Sequence, residues 1–494
     1  MSVIDRAARS VAQWIANDGQ DCGAPQRRIA IVGCGPRGLW ALQELTLAFQ
    51  ELGVTDVAVD IYEPHRFPGA GAVYDPRQPA FLRMNFASRY IDARRLGDAQ
   101  SFPYDFVSWA RVTAAGAGGD PDEFAPRRTV GRYLYDVFQQ AFQRASQRFP
   151  LLLIAEKALW IERSDAGWVV RASSQRRTYD EVLLTTGHGV QQRIDSSSTA
   201  GQASARAFSP YELLDEERIR PGTCIAIRGM GLTGIDATLA LTEGRGGRFE
   251  SRGGKLVYKA SGREPRKIVC FSRSGAPMLA KPLHLDRGLA ERLRGVWERS
   301  QKSIRSLPIT SAWADSAFME VLNASDAALK LANSSPTTPN SATFWTTWLA
   351  RRWDGSAIMS ALSNSVAENS GMARRGPAWA LGEAWRHAYP ALVDAISYGK
   401  MEPAAFARFQ TIARAMERIA FGPPVCTAAR MLALHEAGKL SWEFARSPQV
   451  VYRAERWNLA KGGKHLAVDE VIHAVIDGPG RPCAHGAVAD LAHD

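Results

Sequence analysis

The chain has 494 residues, of which 46% are apolar, so it can bury large cores in two or three domains. Its 61 Lys and Arg residues exceed its 50 Asp and Glu residues, and the net charge of +11 is spread along the chain. This charge favours anionic small molecules over nucleic acid as partners, and solubility alone explains it equally well. The apolar runs are shorter than the roughly 20 residues of a membrane span, which favours a cytoplasmic protein without membrane association.

The cysteines argue against three further classes of protein. They contain no C-x-x-C pair and no regular spacing, which disfavours a disulfide framework, a zinc site and a redox-active dithiol. We therefore expect a reducing compartment, no bound metal and no disulfide reductase activity. The six cysteines are Cys22, Cys34, Cys224, Cys270, Cys426 and Cys483.

A strand, a glycine-rich turn and a helix are predicted in succession after an N-terminal extension, residues 1–26. The apolar run Ile29–Val32 predicts the strand, and leucines at helical spacing from Leu39 predict the helix. Between them, a G-x-G-x-x-G sequence permits a tight turn, close approach of the backbone to a pyrophosphate and close packing of helix on strand. A plain strand-to-helix turn is the alternative, but the context favours a dinucleotide site. The turn residues are Gly33, Cys34, Gly35, Pro36, Arg37 and Gly38.

The second predicted strand, Val57–Tyr62, ends at an acidic residue, Glu63. A carboxylate at the tip of this strand, 25 residues after Gly38, is placed to accept hydrogen bonds from the ribose hydroxyls of an adenosine. An ordinary surface strand end is the alternative. In combination with the glycine turn, the spacing favours the ribose role.

The loop from residue 64 to residue 90 is rich in glycine, proline and polar residues. A long loop of this kind is more often functional than a simple connection. Gly71 would allow the backbone to lie against a flat ring system. Asn85 is the polar residue that we place nearest the chemistry, although its spacing by itself is better explained by a turn-capping asparagine.

A later apolar run, Tyr179–Thr185, predicts a buried strand that is followed by Thr186, Gly187 and His188. A glycine directly after a strand end brings the backbone close to a bound cofactor. Gly187 is therefore a candidate cofactor contact.

The strand–turn–helix pattern repeats nearly 200 residues after its first occurrence. Ile225–Arg228 predicts the strand, and a second G-x-G-x-x-G predicts a second phosphate-binding turn. The next strand of this unit, Lys267–Phe271, is followed by Ser272 and Arg273 instead of an acid. These two residues suit a 2′-phosphate, so the second nucleotide should be NADP; a plain basic strand end is the alternative. The turn residues are Gly229, Met230, Gly231, Leu232, Thr233 and Gly234.

Residues 282–439 are predicted to form a large, mainly helical insertion that includes the substrate region. Aromatic residues at helical spacing within it are expected to form a core. From residue 440 the pattern returns to strands. The expected fold class is therefore α/β, with two Rossmann-like dinucleotide-binding units and a helical insertion.

Taken in order, these motifs resemble the FAD/NAD(P)-binding flavoprotein family, which is related to the N-hydroxylating flavin monooxygenases and includes nitrosuccinate-forming aspartate N-monooxygenases. Asp180–His188 also resembles the D-x-x-x-L-A-T-G-[YH] signature of N-hydroxylating enzymes, with Thr185 in place of the usual alanine. The Baeyer–Villiger fingerprint F-x-G-x-x-x-H-x-x-x-W is absent. The resembling motifs are GCGPRG (33–38), PGAGAVYDP (68–76), MNFAS (84–88), RTVGRYL (128–134), TTGH (185–188), RGMGLTGID (228–236), YKASGREP (258–265), FSRSG (271–275) and FGPP (421–424).

The resemblance implies an FAD-dependent, NADPH-consuming monooxygenase that N-oxygenates an amino acid or another small amine with O₂ through a C4a-(hydro)peroxyflavin. Asn85 would lie beside the reacting flavin. Lys281 and His284 are candidates for binding an anionic substrate, although a structural role suits His284 at least as well. A homo-oligomer is possible. The residues implied to hold FAD are Gly33, Gly35, Gly38 and Glu63, and those implied to hold NADPH are Gly229, Gly231, Gly234 and Arg273.

Members of this family usually close the FAD domain with a late strand and a glycine-containing turn. We find no convincing version before Asp494, so either the chain is shortened or Val471–Gly480 takes that place. We expect residues 27–205 plus roughly 440–494 to form the FAD-binding domain and residues 206–281 the NADP-binding domain. The alternative function is a non-catalytic or sensory FAD/NADP-binding protein with an incomplete flavin site.

Overall fold

The computed structural model describes residues 27–95, 97–98, 101–114, 116–187, 219–282, 287–333, 340–453 and 455–475. The described residues fall into two compact units, 27–187 and 219–475. The predicted N-terminal extension, His188, His284 and residues 476–494 lie outside the described residues. None of the described helices is both long and apolar enough to cross a membrane.

The first unit is built on a parallel sheet of four strands. Its strands are β1 (Arg27–Val32), β2 (Val57–Tyr62), β3 (Leu151–Ile154), β4 (Trp160–Ser164), β5 (Gly167–Arg171), β6 (Arg176–Tyr179) and β7 (Glu181–Leu184). The parallel sheet has the order β3-β2-β1-β7, while β4, β5 and β6 form a separate antiparallel sheet. β1 and β2 pair from Arg27 opposite Val57 to Val32 opposite Tyr62. Ile29–Val32 of β1 is a continuous apolar run and β2 is apolar apart from Asp60, because a parallel sheet is covered on both faces.

Helices and the antiparallel sheet cover the two faces of this parallel sheet. The helices are α1 (Pro36–Leu52), α2 (Phe106–Val112) and α3 (Arg127–Ser146), with short 3₁₀ helices at Ala72–Tyr74 and Ser88–Tyr90. α1 buries Leu39, Leu42 and Leu45 against β1 and β2, and each buried leucine stabilises the unit by about 1.5–3 kcal/mol. α1 ends at Gly53, whose left-handed backbone (φ +66°) caps the helix.

The second unit repeats this arrangement. Its strands are β8 (Cys224–Arg228), β9 (Arg248–Arg252), β10 (Lys255–Lys259), β11 (Lys267–Phe271), β12 (Leu440–Ser441), β13 (Gln449–Arg453), β14 (Arg456–Lys461), β15 (Lys464–Val468) and β16 (Glu470–His473). The parallel sheet has the order β12-β11-β8-β16, which is the order of the first unit. In both units a three-stranded antiparallel sheet precedes the last parallel strand, β4 to β6 in the first and β13 to β15 in the second.

Each unit has the same kind of polar contact at the start of its last parallel strand. Asp180 Oδ2 accepts a hydrogen bond from the backbone N–H of Arg28 (2.8 Å). Asp469 Oδ2 accepts one from the backbone N–H of Cys224 (2.7 Å). Each aspartate thus fixes the first residues of the central strand against the closing strand, and the sequence repeats with the fold, as DEVLL at 180–184 and DEVIH at 469–473.

Most helices of the second unit come, in chain order, after β11 and before β12. They are α4 (Leu232–Leu241), α5 (Arg287–Ser306), α6 (Trp313–Ala332), α7 (Ser341–Ala350), α8 (Gly355–Asn369), α9 (Pro377–Ile396), α10 (Pro403–Ala420) and α11 (Val425–Glu436), with short 3₁₀ helices at Glu243–Arg245 and Ser397–Gly399. α9 packs against α5, α6 and α10. Trp313, Trp379 and Trp385 are buried, which confirms that aromatic residues at helical spacing form the core of this region. The α/β fold class with two Rossmann-like units is likewise confirmed.

The expectation that residues from about 440 belong to the FAD-binding domain is wrong for residues 440–475. β12 pairs with β11 and β16 pairs with β8, Val471 lying opposite Ala226. The described part of Val471–Gly480 therefore closes the sheet of the second unit and not that of the first. Because the chain carries the same closing-strand pattern twice, the pattern alone does not tell which sheet each copy joins.

Candidate functional site

The first glycine turn lies between β1 and α1, at the carboxyl end of the parallel sheet. Gly33 has a left-handed backbone (φ +90°), and a Cβ there would lie 2.9 Å from the carbonyl oxygen of Thr185. A Cβ at Gly38 would overlap the carbonyl oxygen of Gly33. Only glycine fits at these two positions, so the turn and the close helix–strand packing have the geometry expected of a dinucleotide-binding turn.

The residue between them, Gly35, is the N-cap of α1 and makes no side-chain cap. The first N–H groups of a helix have no partner within it and carry its positive dipole end. Pro36 and Arg37 are exposed in the first turn of the helix. Gly71 of the following loop faces Gly35, and a Cβ on Gly71 (φ +61°) would lie 3.1 Å from the Cα of Gly35. The residues present therefore fit a pyrophosphate at this helix end, bordered by glycine backbone.

Glu63 lies directly after β2, as predicted, and is buried. One carboxylate oxygen accepts a hydrogen bond from the backbone N–H of Cys34 (2.6 Å), and the other accepts one from that of His65 (2.9 Å). Each oxygen has a second lone pair, so the same group can hold the turn and accept from ribose hydroxyls. Burial, with the nearby charge of Glu63, raises the pKa of the Cys34 thiol, which keeps it protonated.

Asn85 and Gly187, the other predicted contacts of the first unit, lie in loops. Asn85 is half-buried in a bend that is anchored on both sides, since Met84 N–H donates to Ala125 O (2.8 Å) and Ser88 N–H donates to Glu123 O (2.8 Å). Gly187 is exposed, with φ +73°, three residues after the end of β7. The backbone on either side of Asn85 is therefore fixed by hydrogen bonds.

The second glycine turn, between β8 and α4, has the same geometry. A Cβ at Gly229 (φ +135°) would overlap the carbonyl oxygen of Ala474, and one at Gly234 would overlap that of Gly229. Gly231 is the N-cap of α4 without a side-chain cap, and among the described residues no atom lies within 4 Å of a Cβ built on it. Leu232 and Thr233 follow, half-buried, in the first turn of α4. This turn therefore also fits a pyrophosphate.

No sequence pattern indicates the arginine that supports this second turn. Arg418 of α10 donates a hydrogen bond through a guanidinium nitrogen to the carbonyl oxygen of Met230 (2.7 Å). Its own carbonyl accepts from the backbone N–H of Leu279 (2.8 Å). Burial lowers the pKa of Arg418 below its ordinary value. Almost 190 residues separate the two partners, so no local pattern could reveal the contact.

Ser272 and Arg273 lie at the end of β11, at the same edge of the sheet as the second turn. Ser272 Oγ accepts a hydrogen bond from the backbone N–H of Gly275 (3.0 Å), and Arg273 is exposed. Residue 446 pairs with Ser272 in a parallel bridge, which extends the pairing of β12 with β11. A second arginine, Arg446, thus joins this edge, and sequence analysis did not single it out.

Lys281 is buried in the second unit. Its N–H donates to Pro423 O (2.8 Å), its carbonyl accepts from Val425 N–H (3.0 Å), and its Nζ lies 5.2 Å from the ring centre of Phe421. Burial, with repulsion from Arg386, lowers the pKa of Lys281 to about 7, against the attraction of Glu383. The structure thus places this predicted substrate contact in the interior of its unit, while His284 lies outside the described residues.

A family profile described as FAD-NAD(P)-binding matches residues 30–189, which include the first glycine turn, Glu63 and Asn85. This part of the chain is thus similar to FAD- and NAD(P)-binding proteins, in agreement with its motifs.

The proteins that are similar to the chain include two relatives and one solved structure. It is 31% identical to nitrosuccinic acid synthase npaA of Aspergillus oryzae, over 52% of this chain and 42% of the relative. It is 27% identical to a nitrosuccinate-forming L-aspartate N-monooxygenase of Streptomyces davaonensis, over 52% of this chain and 45% of the relative. The matches thus span less than half the length of these relatives. The crystal structure of L-lysine 6-monooxygenase from Pseudomonas syringae is 12% identical, with a TM-score of 0.41, over 92% of this chain and 81% of that chain.

Proposed function

We propose that the protein is an FAD-dependent, NADPH-consuming monooxygenase that oxygenates the nitrogen of an amino acid or another small amine. The observation that carries the proposal is the pair of matching nucleotide units, in each of which a glycine turn packs on the residue after the closing strand, Thr185 or Ala474. The two relatives named above support an amino acid as the substrate, and the net charge of +11 suits an anionic one.

When bound, FAD would accept hydride and activate O₂. The residues of the first unit bind and orient it. The N–H groups at the start of α1 receive the pyrophosphate, and Glu63 accepts hydrogen bonds from the adenosine ribose. Asn85 is the residue that we assign to a hydrogen bond beside the flavin ring, and the two backbone hydrogen bonds that flank it limit its movement.

The second unit binds the reductant by the same means. The N–H groups at the start of α4 receive the pyrophosphate of NADPH, while Ser272 and Arg273 receive its 2′-phosphate. Lys281 stays the predicted substrate contact, and its pKa of about 7 lets it exchange a proton near neutral pH.

The proposal is tested by purifying the protein, recording its flavin absorbance and adding NADPH without oxygen. We expect a yellow protein that NADPH bleaches. In air, a panel of amino acids is screened by mass spectrometry for hydroxylamine or nitro products, while hydrogen peroxide is measured in parallel. NADPH oxidation that yields only peroxide across the panel would contradict N-oxygenation, and a colourless protein that neither takes up FAD nor oxidises NADPH would contradict the whole proposal.

A non-catalytic FAD/NADP-binding protein is the second candidate. It is favoured by one observation, that the strands expected to complete the first unit lie in the second. The same experiment separates the two, because a sensory protein binds both nucleotides but shows no reduction of its flavin by NADPH.

A further inference from the structure

The internal repeat allows the two nucleotide units to be compared position by position at the end of their second strands. Glu63 follows β2, and its N–H donates to the carbonyl oxygen of Ile154 at the end of β3 (3.0 Å). Ser272 follows β11, and its N–H donates to the carbonyl oxygen of Ala445 beyond β12 (2.8 Å). Glu63 and Ser272 thus occupy equivalent positions.

The positions that face Glu63 and Ser272 on the neighbouring chain segment are equivalent as well. The residue after Ile154 is Ala155, and the residue after Ala445 is Arg446. Between the units, the pair Glu63 and Ala155 is thus replaced by Ser272 and Arg446. The second unit thus lacks the carboxylate of the first unit and has a guanidinium at the adjacent position. In a Rossmann unit, the adenosine ribose lies at this place.

Hydrogen bonds of the next residue, Ser447, hold Arg446 at this position. Ser447 N–H donates to Ser272 O (2.9 Å), and Ser447 Oγ donates to Arg273 O (2.9 Å). Paired residues of neighbouring strands point to the same face of a sheet, so Ser272 and Arg446 share a face. A Cβ on Gly275 (φ +71°) would lie 2.9 Å from the Cβ of Arg446, so this glycine leaves room for the arginine stem.

The charges around Arg446 are predominantly positive. Lys461, at the end of β14, has its pKa lowered by burial and by the cations of Arg352 and Arg446, with Asp354 as the opposing carboxylate. Among the described residues, the charges that act on one another here are thus three cations, Lys461, Arg352 and Arg446, and one anion, Asp354. A bound dianion would relieve their repulsion.

We propose that Arg446, together with Ser272 and Arg273, binds the 2′-phosphate of NADPH and makes the second unit select NADPH over NADH. The inference rests on the proposed function in one respect, that this unit binds the nicotinamide nucleotide. A guanidinium can donate two parallel hydrogen bonds to a phosphate. The adenosine ribose of NADH carries no 2′-phosphate to accept them.

The test is the affinity of the full-length protein for NADP⁺, NAD⁺ and 2′,5′-ADP, measured by titration calorimetry, which does not require turnover. We expect Arg446→Gln to weaken NADP⁺ and 2′,5′-ADP at least about tenfold, because a hydrogen bond to a charged group is lost, and to leave NAD⁺ within about twofold. Arg446→Lys keeps the charge and should recover part of the loss. Arg294→Gln, which removes an exposed charge from α5 of the same unit, is the matched control and should change none of the three affinities.

The remaining outcomes separate this inference from the proposed function. If Arg446→Gln weakens NADP⁺ and NAD⁺ equally, or weakens neither, Arg446 does not read the 2′-phosphate and the inference is overturned. If the wild-type protein binds NAD⁺ as tightly as NADP⁺, the inference also fails, but an NADH-dependent enzyme survives. A wild-type protein that binds none of the three ligands would overturn both.

Discussion

The glycines of the second turn serve two different physical purposes. Gly229 has a backbone that other residues adopt only with strain, and it contacts Ala474 directly. Gly231 has an extended backbone (φ −91°) that any residue can adopt, and it faces open space among the described residues. The fold therefore requires glycine at position 229, and we expect the ligand to require it at position 231.

This difference predicts opposite results for two alanine variants. Gly229→Ala should lower the free energy of unfolding by about 2–4 kcal/mol, because a strained backbone and a steric clash add. Gly231→Ala should cost less than about 1 kcal/mol but weaken NADP⁺ binding at least tenfold, because its Cβ fills the approach to the phosphates. Urea unfolding and titration calorimetry measure both quantities. A Gly231→Ala protein with normal NADP⁺ affinity would show that the pyrophosphate does not lie at this turn.

Lys281 should make stability depend on pH. Burial lowers its folded-state pKa from 10.5 to about 7, so between these values the unfolded chain binds the extra proton. The cost of burying this lysine is therefore full below about pH 7 and falls as the pH rises towards 10.5, by at most about 1.4 kcal/mol per pH unit.

The measurement is urea unfolding of the wild type and of Lys281→Met from pH 7 to pH 9.5. The wild type should gain stability with pH relative to the variant. Lys302→Met, which changes an exposed lysine of α5, serves as the control and should follow the wild type. Parallel curves for the wild type and Lys281→Met would mean that Lys281 keeps an ordinary pKa in the folded protein.

At the scale of elements, α10 is connected to the second glycine turn. Arg418 spans the two by donating to the carbonyl of Met230, and its backbone also holds Leu279 in the segment after β11. A turn that offers backbone N–H groups to phosphates must keep its peptide planes oriented, and this hydrogen bond holds one of them. The helical insertion therefore contributes to the geometry of the second glycine turn.

Removal of this support should affect both nicotinamide nucleotides equally. Arg418→Met keeps the length of the side chain but loses the donor, and we expect about a three- to tenfold loss of affinity for NADP⁺ and NAD⁺ alike. Arg414→Met, at an exposed position of the same helix, should leave both affinities unchanged. A loss confined to NADP⁺ would instead place Arg418 at the 2′-phosphate.

At the scale of the whole molecule, each unit has its own parallel sheet and its own glycine turn. A ligand that binds only the folded state stabilises it by about 2.7 kcal/mol at 100 times its dissociation constant. Hydrogen exchange should therefore show that FAD protects residues 29–38 and that 2′,5′-ADP protects residues 225–234. Protection of residues 225–234 by FAD alone would contradict the assignment of one nucleotide to each unit.

Much of the fold could be predicted from short-range patterns. Both glycine turns, the acid after β2 and the Ser272–Arg273 pair lie where the sequence predicts, because strand–turn–helix units are encoded by residues that are neighbours along the chain. The assignment of the strands after residue 440 failed, because Asp180 and Asp469 begin nearly identical closing strands and local pattern does not specify the partner.

The sequence by itself determined the fold class and the two glycine turns, since the geometry of such a turn depends on glycines and a few flanking residues. Only the tertiary structure decided that β16 closes the second sheet, that Arg418 supports Met230, and that Arg446 lies beside Ser272. The physical reason is the same in each case. These contacts join residues that are more than 150 positions apart, and a side chain that acts across such a separation leaves no periodicity or spacing in the sequence.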